Sequence, residues 1–163
     1  MTGGSRPRAI QRVEAAVVAR GFNFEMVEFP ASTRTAADAA AAIGCEIAQI
    51  VKSLIFATMP DERPLLALVS GSNQGDMKKM AALVGATLRR PDADYVREVT
   101  GFAIGGVPPI GHSQALLTLI DRDLVSHPMV WAAAGTPNSV FGLRGGDLEA
   151  LTAGIAADIR RNI

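Results

Sequence analysis

Length, composition and charge limit the classes of protein to which this chain can belong. It has 163 residues, 48% hydrophobic and 20% charged, which excludes a disordered chain and suits one domain, predicted over residues 1–163. Sixteen basic and sixteen acidic residues cancel, so the chain lacks the positive excess of proteins that coat nucleic acid, and any RNA contact should be local.

The order of the predicted elements indicates the fold class. In chain order the patterns predict a helix over 10–20, a strand over 22–29, a helix over 36–43, strands over 50–58 and 65–70, a helix over 76–85, a short strand over 86–90, a helix over 92–99, strands over 115–120 and 129–134, and closing helices over 145–154 and 155–163. Gly21 and Gly44 stand where helices would stop, and Thr35 followed by Asp38 forms an imperfect capping box. Adjacent strands together with strands separated by helices argue for an α+β, or mixed α/β, domain.

A long stretch without charged residues extends from Val99 to Ile120 and contains GFAIGGVPPIGH (101–112). Its length could suit a membrane span, but glycines and prolines interrupt its middle, and lipid does not tolerate exposed irregular backbone. The N-terminus has no continuous apolar segment, so no secretory signal is expected.

The single cysteine, Cys45, excludes an internal disulfide and is expected to be a small buried hydrophobe. We expect a soluble, cytoplasmic protein that makes no membrane contact.

Lys52 is unusual because it lies in the apolar stretch IVKSLIF (50–56). A central strand should not bury an ammonium group, since a desolvated charge is costly unless it is paired. One interpretation is an edge-strand lysine that protects against aggregation. The other is a functional lysine that lines a pocket. Composition and spacing alone leave both open.

The glycine- and proline-rich loop is the second candidate feature. Gly105 and Gly106 permit close backbone approach and positive φ, while Pro108 and Pro109 stiffen the second part of the loop. Amide groups in such a turn can hold a carbonyl oxygen or an oxyanion. A tight apolar connection between strands is the alternative. The loop lacks the GxGxxG spacing of a dinucleotide site.

The third feature is AAAGTPNSVF (132–141), in which a predicted strand ends at Gly135. The polar side chains of Thr136, Asn138 and Ser139 could bind a ligand, or could satisfy the backbone of their own turn.

The sequence gives little support for a metal site or a serine hydrolase. His112 and His127 lack an HExxH pattern and clustered acids, so no metal site is expected, and no serine stands in a nucleophile elbow.

The order of these motifs resembles the YbaK/ProX family of free-standing aminoacyl-tRNA deacylases, which are related to the editing domain of bacterial prolyl-tRNA synthetases. The resemblance extends from about Thr35 to Leu151. It rests mainly on QIVKSLIF (49–56), GGVPPIGH (105–112) and WAAAGTPNSVF (131–141), with a hydrophobic strand ending in Asp121 between the last two.

The resemblance implies a fold, a reaction and a site. The fold would be a curved, barrel-like mixed sheet with flanking helices. The reaction would be hydrolysis of the ester joining a wrong, small amino acid to the 3′ adenosine of a tRNA, most often proline tRNA, without a cofactor. Prolyl-tRNA synthetase is a candidate partner; DNA is not. The implied catalytic residues are Lys52, Gly105 and Gly106, and the implied substrate-binding residues are Val107, Pro108, Pro109, Gly111, His112, Gly135, Thr136, Asn138 and Ser139.

The chemistry suits these residues, since an aminoacyl ester is already activated. Lys52 should stay protonated near neutral pH and serve as an anchor for a substrate phosphate or carbonyl rather than as a base. Pro108 and Asn138 depart from residues found in many relatives, which leaves the amino acid open. Two alternatives also stay open: an inactive module that binds tRNA ends or a synthetase, and a pocket for a free metabolite.

Overall fold

The computed structural model describes residues 6–30, 33 and 35–162. The described residues form an α+β fold, as expected. Its helices are α1 (Arg8–Ala19), α2 (Ala36–Ile43), α3 (Met77–Val84), α4 (Ala93–Thr100), α5 (Arg122–Val125) and α6 (Leu148–Thr152), with short 3-10 turns at Ile47–Gln49 and Gly145–Asp147. In this part of the chain no helix is long and apolar enough to cross a membrane.

The strands form two sheets. They are β1 (Met26–Glu28), β2 (Val51–Met59), β3 (Pro64–Ser70), β4 (Thr87–Arg89), β5 (Leu117–Asp121), β6 (Val130–Ala133), β7 (Ser139–Leu143) and β8 (Ile155–Ala157). The larger sheet has the order β4-β2-β3-β5-β8 and the smaller one β1-β7-β6. The pair β2–β3 is an antiparallel hairpin, whereas β3–β5 is parallel because two helices and a long loop intervene.

Short polar and glycine signals set the helix ends. Thr35 Oγ1 accepts a hydrogen bond of 3.0 Å from the Asp38 amide at the start of α2, which confirms this capping position. Asp76 caps α3 in the same way. Gly44 ends α2 with a φ of 86°, a left-handed conformation that glycine adopts without strain.

Strands β2 and β3 are the centre of the larger sheet and bury side chains on both faces. One face of β2, with Val51 and Ile55, packs into the main core, which includes α1 and the smaller sheet. The other face, with Leu54 and Phe56, packs into a second cluster that includes Met80 of α3. Lys52 belongs to this second face by the alternation of side chains along a strand.

The prediction of one curved, barrel-like sheet is not confirmed, because the described strands do not close into a barrel. Along the edge of β2, β4 pairs only with residues 57–59. The smaller sheet meets this edge through an isolated bridge between Ile50 and Trp131. The hydrogen-bond ladder is therefore interrupted between these two contacts, and part of β2 is an open edge.

Two predicted elements differ from the structure, and neither β7 nor the short helix α5 was predicted. The closing helix predicted over 155–163 is wrong, because residues 155–157 form β8 and pair with β5 in parallel register. Ala153, at a φ of 59°, ends α6 and turns the chain into this strand. The strand predicted over 22–29 is confined to 26–28. Strand β7 was not predicted, because Ser139 was included in the loop that follows Gly135.

Candidate functional site

A cavity of about 370 Å³ lies at the open edge of β2. It combines the lysine strand with both candidate loops. The predicted site residues that line it are Lys52, Gly105, Val107, Thr136 and Ser139. Ser53 and Leu54 of β2 complete the same wall, and Thr35 and Ala36 at the start of α2 lie at another side. Segments that are far apart in the chain thus surround one space.

Lys52 is partly buried in this wall. Its Nζ donates a short hydrogen bond to the backbone carbonyl of Asn73, in the turn after β3. Burial removes water from the ammonium and lowers the pKa of Lys52 from its ordinary value, while the nearby Asp121 carboxylate acts in the opposite direction. Lys52 lines the cavity, and its ammonium keeps two donors that Asn73 does not use.

A polar cluster holds Asn73 in place behind Lys52. The side-chain amide of Asn73 donates to Asp121 at 2.8 Å and to Asp123 at 2.9 Å. Asp121 is almost fully buried and also accepts from the Ser70 amide at 3.1 Å. Arg160 donates to Asp123 at 2.8 Å. The carbonyl that receives Lys52 is therefore fixed by a buried carboxylate rather than by a flexible turn.

In the first half of the candidate loop, Gly105–Val107, the first and the last residue line the cavity. Gly105 is exposed and has a φ of 94°. The amides of Gly105 and Val107 make no hydrogen bond to another residue in the described part of the chain. Both amides are thus unengaged donors in residues that line the cavity.

Gly106 makes contacts both within its own loop and with the second loop. Its amide donates to the Ala103 carbonyl at 3.0 Å, so it closes a turn and is engaged within the loop. A Cβ atom at this position would lie 2.9 Å from Thr136 Cα. Gly106 is thus required where the two loops pack together, and the structure gives it no role as an oxyanion donor.

The second loop is held mainly by its own hydrogen bonds. Thr136 Oγ1 lies 2.6 Å from Ser139 Oγ and donates to Asn138 Oδ1 at 3.0 Å. The Asn138 side chain donates to the Phe29 carbonyl at 2.7 Å and does not line the cavity. Gly135 is buried against α1, where a Cβ atom would lie 2.8 Å from the Ala9 carbonyl oxygen. Of this loop, Thr136, Pro137 and Ser139 line the cavity.

The second half of the candidate loop, Pro108–His112, turns away from the cavity. Pro109, Gly111 and His112 line a separate space of about 580 Å³ near the end of α1. Pro108 is buried and lines neither space. The substrate-binding role predicted for these four residues therefore has no support from their placement in the described structure.

Arg12 of α1 clamps this second half. Its guanidinium donates to the Gly101 carbonyl at 3.0 Å and to the Gly111 carbonyl at 3.2 Å. It also lies 4.5 Å from the centre of the Phe102 ring. One side chain thus ties the beginning and the end of the 101–111 segment to α1.

His112 adds a second restraint. Its Nε2 lies 2.7 Å from the Pro108 carbonyl oxygen, which can only accept, so Nε2 carries the proton. Burial lowers the pKa of His112, the Pro108 contact opposes this, and the Arg12 charge adds to the lowering. His112 is thus a mainly neutral, structural histidine at neutral pH.

Sequence reasoning missed the residues that support the site. Arg12 looked like one more charge on the outer face of a helix, and Asn73 and Asp121 lie in different segments with no shared motif. Ser53 was overlooked although it directly follows Lys52. A small polar residue inside an apolar strand is the one signal that could have identified it.

Comparison with known proteins identifies the family. The sequence profile described as an aminoacyl-tRNA editing domain matches residues 30–151, about three quarters of the chain. The chain therefore belongs to the aminoacyl-tRNA editing domain family, which confirms the resemblance to editing deacylases found in the sequence.

Individual relatives agree with this assignment. A solved structure described as a proposed trans-editing enzyme for prolyl-tRNA synthetase is 47% identical, with a TM-score of 0.91 over 97% of this chain and 100% of that one. The hypothetical protein APE2540 is 29% identical, with a TM-score of 0.85 over 92% of this chain and 99% of that one. The uncharacterized protein YwhH of Bacillus subtilis (strain 168) is 33% identical over 119 residues, 73% of this chain and 75% of its own.

Proposed function

We propose that this protein is a trans-acting deacylase that hydrolyses the ester of a mischarged tRNA, with proline tRNA carrying a small non-cognate amino acid as its substrate. The family and the description of the 47% identical relative support this proposal. The observation that carries it is the meeting of Lys52 with the unengaged amides of Gly105 and Val107 around one cavity of about 370 Å³. That size suits a small amino acid together with its ester.

The proposed reaction needs no protein nucleophile. A water molecule adds to the acyl carbonyl carbon, the bond to the ribose oxygen breaks, and that oxygen takes the proton that the water gives up. The products are the free amino acid and a tRNA with an intact 3′ end. Removal of the water proton falls to the substrate's own groups, as in related enzymes, because no carboxylate or imidazole of the described residues lines the cavity.

In this proposal the chain's residues bind and stabilise. The amides of Gly105 and Val107 donate to the carbonyl oxygen as it gains negative charge, and the loss of one such donor typically costs about 10²- to 10³-fold in rate. Lys52 donates to a phosphate or carbonyl of the acylated end. Its lowered pKa fits a cation held in a partly dry site, and the carbonyl of Asn73 fixes its position.

The cavity's small residues bear on the choice of amino acid. Its floor includes Ala36, Ala39 and Ala133, with the hydroxyls of Thr136 and Ser139 at one side. These two hydroxyls already bond each other, so they offer a ligand less than their number suggests. We therefore propose alanine-sized amino acids as the preferred substrates. Such a pocket separates groups that differ by one methylene by only about 1–3 kcal/mol.

The test is direct hydrolysis. Purified protein is added to proline tRNA charged with alanine, cysteine, serine, threonine, 2-aminobutyrate or proline, and release of the free amino acid is followed over time. We expect the fastest release with alanine and slow release with proline. Protection of every ester would instead identify a module that binds tRNA ends. Prolyl-tRNA synthetase, added in a parallel series, tests that enzyme as a partner.

A further inference from the structure

Ser53 carries a buried hydroxyl that nothing in the described structure satisfies. Its Oγ is shielded from solvent and has no hydrogen-bond partner among the described residues. Most buried hydroxyls in native proteins are paired, because a polar group without a partner costs folding free energy. This unpaired hydroxyl belongs to a residue that lines the candidate site.

The backbone around Ser53 is also unpaired on one side. The Ile50 carbonyl accepts from the Gly71 amide, and the Thr58 amide donates to the Arg63 carbonyl. Hydrogen-bonded and non-hydrogen-bonded pairs alternate along an antiparallel ladder. Since Ile50 and Thr58 bond to the β3 side, the other even-numbered residues of β2 do so as well. Ser53, an odd-numbered residue, therefore directs its N–H and C=O away from β3. No strand of the described chain pairs with β2 at Ser53 on that side.

Two cavities share the wall at Ser53. The larger one is the space beside Lys52 and Thr136. The smaller one, about 270 Å³, extends along the same edge of β2 to Phe56 and Arg90. The Arg90 guanidinium lies 5.8 Å from the centre of the Phe56 ring. Five residues belong to both walls and mark the junction: Ser53, Leu54, Ile104, Gly105 and Val107.

The two cavities differ in chemistry. The larger holds small apolar residues with hydroxyls, which suits an amino acid side chain. The smaller holds Pro91, Val96 and the guanidinium plane of Arg90, a type of surface on which an unstacked base can lie, while the Phe56 ring beneath Arg90 is buried. An aminoacyl-adenosine likewise consists of an amino acid and a nucleoside with its base, and the ester on the ribose joins them.

We propose that Ser53 is a substrate-binding residue at this junction. The proposal rests on the proposed deacylase function. The acyl group occupies the larger cavity and the terminal adenosine the smaller one. The Ser53 hydroxyl hydrogen-bonds the polar groups of the acylated ribose between them, beside the open backbone edge of the same residue.

The experiment compares Ser53→Ala with the matched control Ser126→Ala, an exposed serine of the turn after α5. The probe is 3′-deoxy-3′-(alanylamino)adenosine, an amide analogue that cannot be hydrolysed as an ester. Three quantities are measured for each protein: the melting temperature, the Kd for the probe, and kcat/KM for alanine-charged proline tRNA.

We expect Ser53→Ala to keep or raise the melting temperature, since it removes an unpaired buried group. Its Kd should rise and its kcat/KM fall, each by about 10-fold, as for the loss of one hydrogen bond. Ser126→Ala should bind and hydrolyse like the wild type. A lower melting temperature with unchanged Kd would overturn the proposal, because the hydroxyl would then serve the fold.

The probe separates this proposal from the proposed function. If the wild type binds the probe but hydrolyses no ester, deacylation is wrong, and the Kd of Ser53→Ala still decides the role of Ser53. If the wild type does not bind the probe, the Ser53 proposal is overturned, whereas the deacylase proposal still depends on whether mischarged tRNA is hydrolysed.

Discussion

The two halves of the GGVPPIGH segment differ in what holds them. In Gly105–Val107, two amides make no hydrogen bond within the described chain and Gly105 is exposed beside Lys52. In Pro108–His112, backbone carbonyls are bound by Arg12 and His112, and most of the segment is buried. One half leaves donors available to a ligand, and the other anchors them to the fold.

This difference changes how the motif should be interpreted. A pattern of glycines and prolines indicates a rigid turn, but the turn's two ends need not serve the same purpose. Here Arg12 and His112 hold the second half, whereas the first half is held by the Gly106 turn and its close approach to Thr136. Substitutions at four positions test that division, from the largest expected effect to the smallest.

Lys52→Ala should affect activity most. Removing the ammonium from the cavity wall should lower kcat/KM for alanine-charged proline tRNA by about 10²-fold, as for a lost charged hydrogen bond. The melting temperature should change little, because the burial that opposes the charge is relieved as the bond to Asn73 is lost. Deacylation assays and thermal denaturation check both. Lys78→Ala, an exposed lysine of α3, is the matched control; turnover retained in Lys52→Ala would remove this role.

Gly106→Ala should separate the two loops. The new Cβ would lie 2.9 Å from Thr136 Cα, so one loop must move. We expect kcat/KM to fall by about 10- to 100-fold, since a displacement near 1 Å can cost that much in a positioned site. Gly146→Ala is the control, because a Cβ there meets nothing within 4 Å. Equal activity of the two variants in the deacylation assay would show that loop contact does not position the donors.

Arg12→Ala should weaken the anchored half. It removes two hydrogen bonds and a contact with the Phe102 ring, which together should lower the free energy of unfolding by about 1–3 kcal/mol. Chemical denaturation measures this, with Arg8→Ala of the same helix as the control. Faster hydrogen exchange should appear in residues 101–112. Exchange that rises no more in this segment than elsewhere would contradict the clamp.

His112→Gln should produce the smallest effect, and it should be visible only in the pH dependence of the free energy of unfolding. Burial lowers the pKa of His112 below its ordinary value of about 6.5. At a pH between the lowered pKa of the folded protein and the ordinary pKa of the unfolded chain, the unfolded chain binds more protons than the folded one. Stability is therefore lost as pH falls below about 6.5. Unfolding at pH 7 and pH 5 should show a smaller loss for His112→Gln than for the wild type. A loss that disappears in His127→Gln instead would assign the effect to the other histidine.

Much of the architecture follows from local patterns in the sequence. The capping residue Thr35, the glycine that ends α2 and the apolar runs of β2 and β3 predict those elements because short-range sterics and hydrogen bonds determine them. Residues 155–157 were assigned to a helix because their strand conformation depends on pairing with β5, a contact between distant segments. The break in the β2 edge depends on strand order and is likewise absent from any local pattern.

The candidate site was predictable only where a residue is unusual within its own segment, because contacts between distant segments leave no local pattern. Lys52 and Gly105 stand out as unusual residues in their own segments, and the structure places them around one cavity. The contacts of Gly106 and Asn138 were not predictable, because their respective partners, Thr136 and Phe29, lie far away in the chain. Arg12 could not be selected, since its partners, the carbonyls of Gly101 and Gly111, have no sequence signature.

The most direct test of the two-part loop is the backbone amide spectrum of the intact protein titrated with 3′-deoxy-3′-(alanylamino)adenosine. Our account predicts that the largest chemical-shift changes occur at Ser53, Gly105 and Val107, with Gly111 and His112 nearly unchanged. Changes centred on Gly111 and His112, with Gly105 and Val107 unaffected, would contradict it.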